Sequence, residues 1–485
     1  MRASLKLIIE FCHFWFGVVF MDLLIKNGKV VWPDVTLEAD LAIDAGKIIG
    51  IGSGDVFPKA DRVVDAGGNF VVPGGIDPHV HMHVGFMGAT TLDEFDTGTM
   101  AAAIGGTTTV IDFAFQAKGK LPMESIEARR KEADGKVCID YTLHSNLTEG
   151  NDASIAQIPK IIEMGIPSFK FFMVYRKEEL MIDDGNLIPI MEEIKKHGGL
   201  AGCHTENVSI IEFLQEQAIK KGNKSPIYHA LTRPPINEAE ALNRALYISK
   251  YLDSAFYDYH LSVKEGVELI RQARKEGFPA YCETTTHYLT LEEDMYKRPD
   301  GLNFICSPPL RTRDHIEELW RGLADGTISA VASDQAAFTL EHKKMGKDSF
   351  NKVPNGLPGM EFRVPLMFSE GVQKGRISVN RMAAVTSTNV AKIFGLYPKK
   401  GAIEIGSDAD LVILDPKIKK KITIDDCPYK IDWTPFEGIE LQGSPVMTIS
   451  KGKIIAENGK FVGKTGEGEF VKGKISEEIL KRPAA

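Results

Sequence analysis

The sequence predicts an α/β fold: a TIM-type (β/α)8 barrel carrying a small β-sandwich domain built from both chain ends. Three observations predict it. Short apolar runs rich in β-branched and aromatic residues alternate with helix-like stretches through the middle of the chain. Both ends have a different texture, with short strands joined by Asn-Gly and Lys-Gly turns. The 485 residues also exceed what one growing core usually encloses, which suits one large domain and one small one.

The elements follow in chain order. Residues 1–20, MRASLKLIIEFCHFWFGVVF, have a basic start and an apolar middle. Glu10 and His13 interrupt that run, no small-x-small cleavage site follows, and about 14 apolar-rich residues are too few to span a bilayer. This segment is expected to be disordered or a non-native extension, with Met21 as the natural start. Residues 21–73 open with LLIKNGKVV, read as strand, Asn-Gly turn, strand, and continue as a small antiparallel layer. Residues 401–465 repeat that texture in GSDADLVILD and VMTISKGKIIAENGKFV and are expected to complete the sandwich, leaving 466–485 as a C-terminal tail. Residues 74–400 form the barrel. Its strands are expected at 76–81, 107–113, 138–144, 168–173, 200–204, 256–260, 280–284 and 328–334, followed by helical patterns such as INEAEALNRALYISKYL.

Composition removes several functions. Lys plus Arg is 58 against 66 Asp plus Glu, a net charge of -8, and no basic stripe is long enough to track a phosphate backbone. Neither nucleic acid nor membrane is expected as a partner. Lys417, Lys419, Lys420 and Lys421 lie between apolar strands and read as a solvated edge. The six cysteines form no C-x-x-C pair and sit in apolar segments, which is reduced, cytoplasmic usage.

Catalytic groups of such barrels project from the C-terminal ends of the strands, and five predicted strand ends carry metal-ligand residue types. His79 and His81 stand two apart, so one strand aims both imidazoles at the same face. His83 shares their parity but lies where the strand gives way to the Gly85–Gly88 loop, and Asp77 is placed to orient an imidazole from below. Lys170 sits in SFKFFMVY, where lysine rarely lies without a partner. Burial would lower its pKa from about 10.4, giving a neutral amine that reacts with carbon dioxide to form a carbamate able to bridge two cations. A lysine snorkelling to the barrel rim is the bland alternative. His204, His260 and Asp334 end three further strands, and Ser262 with Glu265 resembles a capping box for the helix after His260. Singly, each of these residues suits a structural role better. Together they point to two metals bridged by a hydroxide nucleophile, with Asp334 moving a proton to the leaving nitrogen of an unreactive amide.

The motifs PGGIDPHVHMH, DTGTMAAAIGGTTTVIDF, SFKFFMVY, PIYHALTRPP, SPPLRT, GKDSFNKVPNGLPGME and GSDADLVILDP together resemble the hydantoinase and dihydropyrimidinase branch of the cyclic amidohydrolases, over nearly everything after Met21. The resemblance implies hydrolysis of hydantoins or dihydropyrimidines to N-carbamoyl amino acids. It implies zinc held by His79, His81 and Asp334, a second zinc held by His204 and His260, and carbamylated Lys170 between them. Tyr175 matches the tyrosine that stabilises the oxyanion. Ser307 and Asn355 match positions whose backbone groups clamp the cyclic amide, and the segments around Phe86 to Phe95 and Phe172 match apolar loops that receive the ring substituent. A homotetramer is implied in the same way. Departures are Gln335, Ala336 and Ala337 where His-Cys is frequent, Thr284 to Thr286 after Glu283, and Tyr257-Asp258-Tyr259 where apolar residues are usual. Asp258 shares the inward parity expected of His260. The alternatives are a sister enzyme of the dihydroorotase or allantoinase kind and a non-catalytic scaffold. No arginine follows the His-x-His pair to hold an acidic substrate, so a small neutral cyclic diamide is expected.

Overall fold

The computed structural model describes residues 21–482, so the expectation for residues 1–20 lies outside the described residues. Eight parallel strands pair in chain order: Gly75–Val80, Thr107–Phe115, Asp140–Asn146, Ser168–Phe172, Leu200–His204, Phe256–Asp258, Ala280–Thr285 and Ala330–Ala332. Each overlaps one of the predicted runs. They are buried along their length, as strands covered by helices outside and side chains inside must be. The seam between the last strand and the first is irregular: His81 N–H donates to Gln335 O at 2.8 Å, and Ser333 N–H donates to the Asp77 carboxylate at 3.1 Å.

Two strands stop two residues short of their predicted ends, at Asp258 and Ala332. His260 and Asp334 lie beyond them with φ of 47° and 51°, left-handed values that a strand does not accommodate. The predicted capping box is absent as well. The helix Lys264–Lys275 begins after Val263, while the Ser262 hydroxyl donates to Glu238 Oε2 at 2.5 Å and accepts from Arg311 Nε at 3.0 Å.

Strands from both chain ends join in one nine-stranded sheet, linked where Phe70–Pro73 pairs antiparallel with Leu411–Lys421. The sheet closes over an apolar core that includes Leu23, Ile43, Val71, Leu411 and Ile449. It is not wholly antiparallel. Met21–Val31 is one long strand that pairs in parallel with Ala60–Asp65 along its first half and with Phe70–Pro73 near its end. The Asn-Gly turn expected at Asn27 is therefore a bulge. Asn27 takes the left-handed φ of 57° that such a turn would use, but the register merely shifts there. Gly28 is needed at this point, since a Cβ would lie 2.6 Å from Val71.

Sheet and barrel meet over a buried charge cluster. Lys400 Nζ lies 2.5 Å from Asp140 at the foot of the third barrel strand, 2.9 Å from Asp408 and 2.7 Å from Asp410. Its ammonium occupies the point where a cation would sit among the three carboxylates. The tail segment then runs beside the same strand, with Tyr141 N–H donating to Glu469 O at 2.9 Å and Val471 N–H to Tyr141 O at 2.7 Å. Among the described residues no helix is long and apolar enough to cross a membrane.

Candidate metal-binding active site

At the C-terminal mouth of the barrel, side chains from both wall and loops enclose a cavity of about 520 Å³. His81, Lys170, Tyr175, His204, His260, Ser307, Asp334 and Asn355 all line it. His79 is fully buried at its floor.

The floor is organised around His79 Nε2. Lys170 Nζ lies 2.7 Å from it, His81 Nε2 3.1 Å and Asp334 Oδ1 3.1 Å. Asp334 Oδ1 is also 3.3 Å from His81 Nε2. Donor atoms of His79, His260 and Asp334 fit within 4.8 Å of one another. The His204 and His260 rings stand edge to face with centroids 4.3 Å apart.

Burial sets the protonation of these groups. It drives the imidazoles of His79, His204 and His260 well below their ordinary range, with the Lys170 charge adding to the effect at the first two and His204 at the third. Burial draws Lys170 down to about 7, opposed by the Asp334 and Glu283 charges. The ammonium lies among aromatic rings, 4.2 Å from the Phe113 centroid and 4.8 Å from that of Tyr259. Burial alone would raise Asp334, but the His81 hydrogen bond and the His260 and Lys170 charges hold it below the usual carboxylate range. Neutral imidazoles, a readily deprotonated amine and an ionised carboxylate are the forms that bind metal.

Two supporting carboxylates were missed in the sequence. Glu283 Oε1 lies 2.5 Å from His79 Nδ1, and its Oε2 accepts from the Tyr257 hydroxyl at 2.8 Å. Glu206 Oε2 lies 2.8 Å from His204 Nε2, while Asn237 Nδ2 donates to Glu206 Oε1 at 3.1 Å and Arg233 Nε lies 3.3 Å from that oxygen. Each carboxylate bonds one ring nitrogen, which leaves the other free to face the cavity. The available signals were a glutamate two residues after His204 and a strand-borne glutamate in AYCETT. Asp77 does not fill that role: its Oδ1 accepts from the backbone amides of His79 and Ser333, and Oδ2 lies 3.5 Å from the guanidinium of Arg363.

Asp258 also differs from expectation. Tyr257 and Tyr259 point into the barrel, so Asp258 between them points out and accepts from the Thr205 hydroxyl at 2.7 Å. The left-handed turn at His260 breaks the alternation and swings the imidazole inward. Burial, with Glu238 nearby, pushes the Asp258 carboxyl well above its ordinary range. Gln335 is a fastener. Its Oε1 accepts from Gly359 and Met360 amides at 2.7 and 3.0 Å, and its Nε2 donates to Tyr429 and Asp93.

Tyr175, with φ of 64°, lines the cavity together with Ser307 and Asn355, and Asn355 Nδ2 donates to Ser307 Oγ at 2.9 Å. Burial and the Glu206 charge keep its hydroxyl protonated. Phe86 and Phe172 line the cavity with Phe113, Phe115 and Leu180. Phe95 does not: it is buried in the core, with the Arg129 guanidinium 4.5 Å over its ring.

Histidines, a lysine and an aspartate converging at the mouth of an eight-stranded barrel define a metal-dependent hydrolase. The model of the Amidohydrolase family matches residues 70–455. A D-hydantoinase of Geobacillus stearothermophilus is 43% identical over 456 residues, covering 93% of this chain and 96% of the relative. Solved structures of a dihydropyrimidinase from Brevibacillus agri and an L-hydantoinase (dihydropyrimidinase) from Arthrobacter aurescens superpose with TM-scores of 0.92 and 0.88. They share 40% and 33% identity and cover 94% and 93% of this chain and 100% of each neighbour. The chain belongs to the amidohydrolase family and, within it, to the hydantoinase and dihydropyrimidinase branch.

Proposed function

We propose that this chain hydrolyses the cyclic amide bond of hydantoins or dihydropyrimidines to give N-carbamoyl amino acids. The convergence at His79 Nε2 carries the reading. Glu283 occupies Nδ1, so Nε2 presents a lone pair toward a second imidazole nitrogen and a carboxylate oxygen, each 3.1 Å away. Facing lone pairs at this distance are relieved by a shared proton or a shared cation, and this set of imidazole, carboxylate and amine groups suits zinc. In this reading His79, His81 and Asp334 would hold one zinc, His204 and His260 would hold the other, and Lys170, as its carbamate, would serve both. To form that group the neutral Lys170 amine would attack the carbon of carbon dioxide and lose one proton to water, leaving a carbamate whose single negative charge is shared by two oxygens.

When bound, two such ions lower the pKa of a water to about 7 and polarise the substrate carbonyl. Asp334 takes the proton from the attacking water as the C–O bond forms. It returns that proton to the ring nitrogen as the C–N bond breaks. The Tyr175 hydroxyl donates to the developing oxyanion, while backbone groups of Ser307 and Asn355 hold the ring amide. Phe86, Phe115 and Phe172 suit a neutral or apolar substituent on the ring. A cytoplasmic homotetramer completes the proposal.

The test is turnover of dihydrouracil, hydantoin and aryl-hydantoins, with metal quantified on the same sample. N-carbamoyl products with about two metals per chain are expected. Less than about one metal per chain with no turnover would restore the non-catalytic reading.

A further inference from the structure

Lys343 is a fully buried cation that the proposed reaction does not use. It lies on the short helix Leu340–Lys344, and its partners are two main-chain carbonyls rather than a carboxylate. Nζ donates to Ile305 O at 2.7 Å and to Pro354 O at 2.8 Å. These carbonyls belong to different loops. Ile305 stands two residues before Ser307, and Pro354 stands immediately before Asn355.

Further contacts join the same loops. Gly356 N–H donates to Ile305 O at 3.1 Å and Asn355 Nδ2 reaches Ser307 Oγ at 2.9 Å, while the His229 ring, on the helix Ile227–Leu231, ties down Cys306 O at 2.7 Å. Among the described residues, Lys343 alone binds a carbonyl of each loop through one atom. A long arm ending in several N–H donors is suited to that task, and burying it without a counter-charge is costly unless the geometry is needed. Burial draws its pKa down to about 7, yet the neutral amine still carries two N–H bonds for the two carbonyls. The Phe338 ring, which lines the cavity, lies 5.8 Å from Nζ.

We infer that Lys343 is a positioning residue for substrate binding: its Nζ staples the Ser307 loop to the Asn355 loop and sets the spacing of the groups that receive the cyclic diamide. The inference rests on the roles proposed above for Ser307 and Asn355. The metal-loaded full chain is compared as wild type, Lys343→Met, which keeps the length and loses the donors, and Lys343→Gln, which keeps two N–H donors on a shorter arm. Lys343→Met is expected to raise KM roughly tenfold or more, with kcat and metal content changed less than about threefold. Amide hydrogen exchange at residues 305–307 and 355–357 accelerates together, and Lys343→Gln recovers part of the KM. Unchanged KM and unchanged exchange alongside a lower Tm would reduce Lys343 to packing and overturn the inference. If the wild type turns over no cyclic diamide, the proposed activity fails, and exchange alone decides the staple: joint acceleration supports it and no change overturns it. Should Lys343→Met fail to fold, Lys343→Gln is judged by the same readouts.

Discussion

Replacing Glu283 by Gln tests whether the carboxylate beneath His79 sets metal affinity. Glu283 is fully buried, with one oxygen 2.5 Å from His79 Nδ1 and the other accepting from Tyr257 at 2.8 Å. That contact fixes which ring nitrogen faces Lys170 and Asp334, and it raises the basicity of that nitrogen. Gln keeps the shape but removes the acidic proton site and exchanges one acceptor for an N–H2. The amide must then set its donor against the His79 ring or against the Tyr257 hydroxyl. Tyr257 can turn its hydroxyl to accept, so the fold survives and the loss falls on the imidazole. The expected cost is a 10- to 100-fold weaker metal affinity, or about 1.4 to 2.8 kcal/mol. Competition between the apoenzyme and a zinc chelator of known affinity measures it, with kcat read at saturating zinc. Saturated Glu283→Gln should regain kcat to within about tenfold, because no group touching substrate has changed. Zinc affinity within about twofold of wild type would refute the argument, since it would show that the orientation of His79 is set elsewhere.

Lys170→Ala should abolish activity and lower the metal content, with partial rescue by short carboxylates; full activity in the untreated variant would end the carbamate reading. Tyr175→Phe should lower kcat by roughly 10²-fold at normal metal content, in line with the loss of an oxyanion donor, and unchanged turnover would leave Tyr175 a packing residue. Asp258→Asn should keep metal content and turnover, because the side chain points out of the barrel toward Thr205; loss of metal would show that it acts on the site. Burial, with Asp112 and Glu361 adding to it, raises Asp93 to about 8, above an unfolded value of about 3.9. Its contribution to stability is complete below about pH 4 and is lost as the pH rises toward the folded value, so the stability of Asp93→Asn relative to wild type should climb between about pH 5 and 8 in denaturant titrations. A pH-independent difference would mean that Asp93 is ionised in the fold.

The barrel was legible because buried parallel strands must be short apolar runs, and every one of the eight was found at its place. The convergence of side chains was legible where they keep strand parity, as at His79 and His81. It was less so where the backbone leaves the strand. Asp258 was read as inward because residues two apart share a face, yet that rule holds only while the chain stays extended, and His260 has φ of 47°. Asn-Gly pairs carried a similar ambiguity. At Asn458 and Gly459 the pair makes the expected hairpin turn, with φ of 50° and 75°, while at Asn27 nearly the same dihedral makes a bulge. The outcome depends on which strands lie alongside. Glu206 and Glu283 were hidden because a buried carboxylate is identified by its partner, and the partners stand on other parts of the chain or beyond a turn.

Tyr175, His260 and Asp334 share left-handed φ values of 64°, 47° and 51°. Each such residue costs about 1 to 3 kcal/mol, a sum comparable with the net stability of many domains. Such strain persists only where neighbouring contacts hold it. Around Asp334 they are the Gln335 side chain on Gly359 and Met360 and the Gln335 carbonyl on His81. After His260, Leu261 N–H donates to Glu283 O at 2.8 Å, and Leu180 N–H returns to Tyr175 O at 3.1 Å. The strain has a geometric purpose. A residue in regular strand conformation points along its own radius at its own height, and His79 and Lys170 already project into the site from within their strands. Bringing His260 and Asp334 within 4.8 Å of His79 from other strands requires the chain to turn across the mouth just beyond its last ladder bond. A left-handed residue achieves that turn in one step and carries the functional side chain with it.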